Sequence, residues 1–305
     1  MQASQKRKRH LNLRQQDTLV AWLLLVPGLI IILAITFQPV LSTLYLSFFD
    51  VSSGIKAHQT FVGFGNYLEL LSETPFWQTI GRTFYFTFVS VAAELVLGIA
   101  IAQLITARPF GWRFLRVSLI IPWAVPTIVN GAVWRWIYDA NYGALNAALS
   151  QLRLIQKYIP WLIDPNRAMN LVILADVWHS VPFIALIIQA AMATLPVELD
   201  EAAAVDGATY WDRFWLIRIP LLRPAILVAL VIRSVEAFRV FDIVYVITAG
   251  GPASGTTTIS YQTYLETFSY GNLGRGAALS FLVSAFTLIM AYVYIRFLYR
   301  PQDAA

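Results

Sequence analysis

The sequence predicts an all-α integral membrane protein with six transmembrane helices, and three observations carry that prediction. Of its 305 residues 58% are hydrophobic and 13% charged, whereas soluble domains carry about 25% charged residues. The mean hydropathy is +0.63. Six apolar stretches are long enough to cross a bilayer core, which takes about 20 helical residues.

Taken in order, the spans are expected at Leu19–Phe37, Phe84–Ile105, Val117–Tyr138, Leu171–Leu195, Ala225–Ile247 and Ala278–Leu298. The first follows a basic leader, yet it is too long for a signal-peptide core and no small-x-small cleavage site follows it, so it reads as a retained anchor. The third and fourth contain Pro122, Pro126 and Pro182. Proline inside a span frees backbone groups that lipid does not satisfy, so these segments are expected to face protein or a watery cavity. Between the spans lie long outer segments at 38–83, 139–170 and 248–277, and a long, helix-prone inner segment at 196–224.

Orientation follows from the basic residues at the span ends. With the N-terminus inside, the cytoplasmic side carries Lys6, Arg7, Lys8, Arg9, Arg14, Arg108, Arg113, Arg116, Arg213, Arg218, Arg223, Arg296 and Arg300. The outer side carries Lys56, Arg82, Arg153, Lys157, Arg167 and Arg275. Both termini are therefore expected in the cytoplasm. The net charge of +5 is thus a topology signal rather than a nucleic-acid patch.

Several chemistries are excluded. There is no cysteine, hence no disulfide, thiolate metal site or cysteine nucleophile. His10, His58 and His179 are scattered and lack metal-ligand spacing. None of Lys6, Lys8, Lys56 and Lys157 sits in a phosphate-binding glycine loop, so any ATP that drives the protein belongs to another subunit. No cofactor and no metal is expected in this chain.

The inner segment is the most informative. It reads Glu198-Leu199-Asp200-Glu201-Ala202-Ala203-Ala204-Val205-Asp206-Gly207 and runs on to Ile217-Arg218-Ile219-Pro220. This is an acidic, alanine-rich helix stopped by a glycine, followed by a second short helix from Tyr210 to Arg218 that is expected to end near Pro220. Alanines leave a narrow surface that a partner groove can hold closely.

The spacing Glu201-Ala202-Ala203, three residues, Gly207, nine residues, Ile217-x-Ile219-Pro220 resembles the EAA motif of ABC importer permeases, with isoleucine in place of the usual leucine. The resemblance spans nearly the whole chain. Leu25-Val26-Pro27-Gly28, Gln38-Pro39-Val40 and Phe61-Val62-Gly63-Phe64-Gly65-Asn66-Tyr67 look like the first span and outer segment of sugar permeases. Pro122-Trp123-Ala124-Val125-Pro126, Trp134-Arg135-Trp136 and Tyr142-Gly143 before Asn146 look like their third span and the turn after it. Phe241-Asp242 and Thr248-Ala249-Gly250-Gly251-Pro252 look like the fifth span and its exit loop. Together these are similar to the maltose/trehalose class of carbohydrate importers, and within it to the larger permease subunit. That subunit's extra leading spans and large outer domain have no counterpart here.

The resemblance implies a type I importer, MetI-like permease fold in a bacterial inner membrane. The implied assembly is a heterodimer of two permeases with two ATPase subunits, which hold ATP and Mg, and an extracytoplasmic sugar-binding protein. The expected division is a basic N-terminus at 1–18, a permease domain at 19–300 and a tail at 301–305. ATPase coupling falls to Glu201, Ala202, Ala203, Asp206, Gly207, Ile217 and Pro220, with Glu201 pairing to a basic group of the ATPase and Gly207 allowing the turn between helices.

Sugar sites combine aromatic faces with hydrogen-bonding groups, and the proline-interrupted spans offer both. In the third span the candidates are Trp123 and Thr127, four residues apart and expected on one helix face. In the fourth they are Asp176, His179, Ser180 and Phe183, which form one stripe. Both sets look like positions that line the sugar site of the maltose permease, as does Arg233. The fifth span adds Glu236, Arg239 and Asp242. Charges at bilayer depth are costly and face protein or water. Positions three apart rotate backwards by about 60° each, so these four are not expected to face one cavity. Glu236, Arg239 and Asp242 are read instead as intramembrane ion pairs within the helix or with the partner permease. Equal numbers of each sign point to a neutral ligand. The function expected is that of a non-catalytic permease subunit importing a disaccharide or glycoside by alternating access. Two alternatives stand beside it. One is a lone proton-coupled secondary transporter with Asp176, His179 and Glu236 as relay groups, and the other is an ABC permease for glycerol 3-phosphate.

Overall fold

The computed structural model describes residues 13–52, 58–108 and 110–298. The basic residues Lys6, Arg7, Lys8, Arg9, Lys56 and Arg300 and the tail at 301–305 lie outside them. Helix α1 (Leu13–Ser47) leads into a small antiparallel hairpin of β1 (Phe49–Ser52) and β2 (His58–Phe61), with Phe49 opposite Phe61. Then come α2 (Gly65–Ser72), α3 (Thr74–Thr106), α4 (Trp112–Ala124), α5 (Thr127–Ile137), α6 (Ala144–Gln151) and α7 (Pro165–Met192). The inner segment folds as α8 (Val197–Val205) and α9 (Tyr210–Arg213), followed by a π-helical turn, Phe214–Arg218, and α10 (Ile219–Phe238). The chain finishes with α11 (Asp242–Ile247), α12 (Ile259–Tyr264), a second π turn, Leu265–Ser269, and α13 (Leu273–Leu298).

Among the described residues five helices are long and apolar enough to cross a membrane, and α4 with α5 makes a sixth span if that bent pair is one. The first two spans run well past the apolar stretches that announce them, since α1 continues to Ser47 and α3 begins at Thr74. Hydropathy marks only the lipid-facing length, while the backbone hydrogen bonds continue through the polar turns beyond it.

Three departures from the sequence expectation matter for the site. The third span is broken, with α4 and α5 meeting at 96°. Val125 is extended (φ −75°, ψ 129°) because the ring of Pro126 disfavours the helical conformation before it. Trp123 and Thr127 therefore belong to two helices and not to one helix face. The fifth span ends at Phe238 rather than Ile247, and α11 starts anew after a bend at Phe241 (φ −134°, ψ −61°). The helix begun at Tyr210 does not stop near Pro220. It passes through the π turn straight into α10, so Pro220 lies inside a continuous helix, where it donates no N–H to the preceding turn and the wider π turn Phe214–Arg218 makes room for its ring.

The centre of the fold is the pairing of α3 with α7. Gly98 makes it close, since a Cβ there would lie 2.6 Å from Ile184 Cγ2. Three apolar clusters flank this pair. One joins α3 and α7 to α5, α11 and α12 through Phe86, Tyr138, Val172, Val244 and Tyr261. A second joins α2, α3, α10 and α13 through Leu70, Phe76, Phe238 and Leu279. The third packs the ends of α3 and α7 on α10 through Ala102, Ile184, Ile188 and Leu222. By contrast α1 buries none of its most apolar stretch within the chain, as expected of a helix whose neighbours are lipid or another subunit.

Candidate permeation site and coupling segment

The two chain breaks, at Val125–Pro126 and at Arg239–Phe241, lie on one cavity of about 390 Å³. Its lining includes all seven residues expected from the sequence to bind substrate: Trp123, Thr127, Asp176, His179, Ser180, Phe183 and Arg233. Each break is stitched to the cavity wall. The Val125 carbonyl, freed by Pro126, lies 3.0 Å from His179 Nε2, so that nitrogen carries the proton and donates. Across the cavity the Thr127 hydroxyl donates to the Asp242 carboxylate in the first turn of α11, where helix polarity favours a negative charge. Trp123 and Phe183 stack with centroids 6.1 Å apart and planes 28° apart, giving an apolar platform at one end.

Arg233 is the electrostatic hub. It lies in α10 at 6% exposure. Its Nε and Nη2 bind both oxygens of Glu94 at 2.7 and 2.9 Å, Nη2 also reaches Asp176 at 3.1 Å, and Nη1 reaches Glu236 at 2.9 Å. Glu94, on α3, is fully buried. Charges so deep are tolerated only when paired and hydrogen-bonded, and the bidentate fork meets that condition. Asp176 and His179 are thus satisfied by Arg233 and by Val125 rather than by each other. Contrary to the helical-wheel expectation, Glu236, Arg239 and Asp242 line the same cavity as Arg233. The reason is the break after Phe238, which takes Arg239 and Asp242 off the helix on which that geometry was reckoned. Of the intramembrane ion pairs expected for these three, only Glu236 with Arg233 forms among the described residues.

Glu94 and Asn130 are absent from the sequence-derived set. The signal for Glu94 is a lone carboxylate inside an otherwise apolar second span. Asn130, on α5, has none beyond its polarity in an apolar run; it is 2% exposed and lines the cavity. Among the described residues no three of His, Asp or Glu group to hold a metal ion.

The segment expected from the sequence to meet an ATPase lies at the other end of α10. Helix α8 begins after Pro196, carries Glu198 and Asp200 in its first turn, and closes on Gly207 at φ +86°. The Gly207 N–H bonds the Ala204 carbonyl, and the Ala208 N–H bonds that of Ala203, a Schellman closure that needs the left-handed glycine. Thr209 and Asp212 then form a capping box that starts α9. Asp200 clamps the pair: it accepts from Arg213 at 3.0 Å and from Arg218 Nε and Nη2 at 3.0 and 2.8 Å. These guanidiniums, Arg218 foremost, hold its carboxyl below the usual range. Arg218 also reaches Gln103 of α3 at 3.1 Å and lies over the Tyr210 ring. Glu201, Ala202, Asp206 and Gly207 are exposed and Ala203 is half-buried. Ile217 lines an inner groove of about 260 Å³ behind α8, and Pro220 is half-buried at the start of α10.

Comparison with known proteins identifies the family and the fold. Residues 94–300 match the family described as the binding-protein-dependent transport system inner membrane component. The chain is 37% identical to the trehalose/maltose transport system permease protein MalF of Thermococcus litoralis, over 93% of this chain and 95% of that protein. It is 38% identical to the sulfoquinovosyl glycerol transport system permease protein SmoG of Agrobacterium fabrum, over 94% and 92%. Its fold matches a chain of a bacterial alginate ABC transporter crystallised with an alginate pentasaccharide-bound periplasmic protein, with a TM-score of 0.82 at 19% identity over 95% and 97% of the two chains. These matches show that the chain belongs to the binding-protein-dependent transport system inner membrane component family, as a permease with several membrane-spanning helices.

Proposed function

We propose that this chain forms one half of the translocation pathway of an ATP-driven importer for a disaccharide or similar glycoside. It pairs with a second permease, while two ATPase subunits supply the energy and an extracytoplasmic binding protein delivers the sugar. The single observation that carries the reading is the continuity of α10. One helix holds Arg233 at the cavity and, through the π turn and Arg218, the clamp on α8. Movement of α8 on an ATPase surface is thereby transmitted to the wall of the cavity, which opens to alternate sides. Glu201, exposed and without an ion pair among the described residues, is left to meet a basic group of the ATPase. Both termini face the cytoplasm, in accord with the basic residues at the inner span ends. Family membership favours this reading over the lone proton-coupled transporter, which leaves α8 without a role.

The test is purification of the tagged chain from its native membrane in mild detergent, followed by reconstitution of whatever complex is recovered. A second permease and a P-loop ATPase are expected to co-purify, with ATP-dependent sugar uptake that Gly207→Pro abolishes without loss of assembly. Recovery of the chain alone, with uptake driven by a proton gradient, overturns the proposal.

A further inference from the structure

The cavity holds more negative than positive charge, and we propose that it selects ligands that bring hydrogen-bond donors without negative charge: neutral glycosides and glycosides bearing an amine. Anionic glycosides are turned away. The inference rests on the reading of this cavity as the sugar pathway and adds the class of sugar.

Asp176, Glu236 and Asp242 line the cavity, with Glu94 behind them, against two guanidiniums, Arg233 and Arg239. The formal balance is −2 with His179 neutral, and protonation of any one carboxyl still leaves −1. Arg233 adds little pull on an anion, because its Nε, Nη1 and Nη2 already donate to three carboxylates. Arg239 is exposed at the cavity and makes no ion pair among the described residues.

The acceptors are in the opposite condition. The hydrogen bonds of Glu236 and Asp242 use a single oxygen of each, Oε2 and Oδ2. The other oxygen of each carboxylate remains for a donor. Asn130 Oδ1 is buried at the cavity and has no hydrogen-bond partner among the described residues. A buried acceptor left unpaired is costly, so a ligand hydroxyl or ammonium that reaches it gains. An anionic substituent brings further acceptors and a like charge into a low-dielectric site, and loses on both counts. The Trp123–Phe183 platform remains for the apolar face of a sugar ring.

The test uses the assembled complex in lipid nanodiscs with no binding protein added, so that only the membrane subunits select. Saturation-transfer difference NMR would be recorded with trehalose and maltose, and with the 6-amino and 6-sulfate derivatives of trehalose. Contact signals are expected from the neutral and amino sugars, and signals about tenfold weaker from the sulfate. In the double variant Glu236→Gln with Asp242→Asn the gap should narrow to about threefold, and in Arg239→Gln it should widen. Equal or stronger contact from the sulfate in the wild type, or a gap that neither variant alters, overturns the charge proposal while leaving the sugar pathway standing. Absence of contact from every sugar overturns the pathway itself.

Discussion

Two ion clusters sit at the two ends of α10, and they are opposites. At the cavity one guanidinium, Arg233, is held by three carboxylates whose side chains range from fully buried Glu94 to well-exposed Glu236. At the α8 end one carboxylate, Asp200, is held by two guanidiniums, and all three side chains keep about a quarter of their surface exposed. Both use a bidentate arginine fork, but the surroundings change its meaning. In the membrane interior the cost of stripping water from each charge is high, so the cluster is stable only when complete. At the α8 end water still reaches the partly exposed side chains, which makes the cluster weak and easily rearranged. The first arrangement suits a wall that keeps its shape, and the second suits a joint that moves.

This contrast can be broken at each end in turn. Arg233→Met leaves three carboxylates without their counter-ion, and a loss of about 3–5 kcal/mol is expected; detergent-solubilised protein should lose its monodisperse peak on mild heating. Replacing Glu94 by Gln keeps the shape and one acceptor, so about 1.5–3 kcal/mol is at stake, read as a lower thermal midpoint in the same assay. Unchanged midpoints in both variants would mean that the buried cluster does not hold α3 to α10.

Asp200→Asn should cost about 1 kcal/mol or less and show itself locally, as faster proteolysis between α8 and α9 with the thermal midpoint unchanged. The pH dependence has a definite sign. The pKa of the Asp200 carboxyl is lowered in the folded protein, chiefly by Arg218, whereas an unperturbed aspartate titrates at about 3.9. Its stabilisation is therefore complete above that value and disappears only as pH falls through the lower folded value. Proteolysis of this segment should be constant from about pH 8 to pH 5 in the wild type, and a change in that window would place the clamp elsewhere. The smallest effect is expected for Glu236→Gln. That side chain is 58% exposed and its bond to Arg233 spans one helical turn, so the midpoint should move by less than the equivalent of about 1 kcal/mol.

The long apolar spans and the acidic helix α8 were legible in the linear chain because both are local. A run of about 20 apolar residues announces a membrane helix on its own, and the Glu-Ala-Ala spacing with Gly207 specifies a helix and its stop within ten residues. The stripe of Asp176, His179, Ser180 and Phe183 was legible for the same reason, since helical spacing places them on one face of α7. The reading failed where a helix was assumed to continue. Trp123 and Thr127 reach one cavity by way of a 96° bend, and Arg239 and Asp242 reach it only because α10 stops at Phe238.

What the sequence by itself determined is therefore the membrane class, the break at Pro126, and the acidic helix between the fourth and fifth spans, whereas Pro182 leaves α7 unbroken and the break after Phe238 carries no proline. Lipid offers no hydrogen bonds, so each apolar run must close its own backbone as a helix wherever it sits in the molecule. Only the tertiary structure decided which charges meet. Glu94 and Arg233 are separated by 139 positions, and nothing in either neighbourhood names the other. Their pairing follows from the close approach of α3 and α7 at Gly98 and from the seat of α10 beside them. The sign of the cavity follows from that packing, because a buried charge takes its meaning from the groups brought next to it.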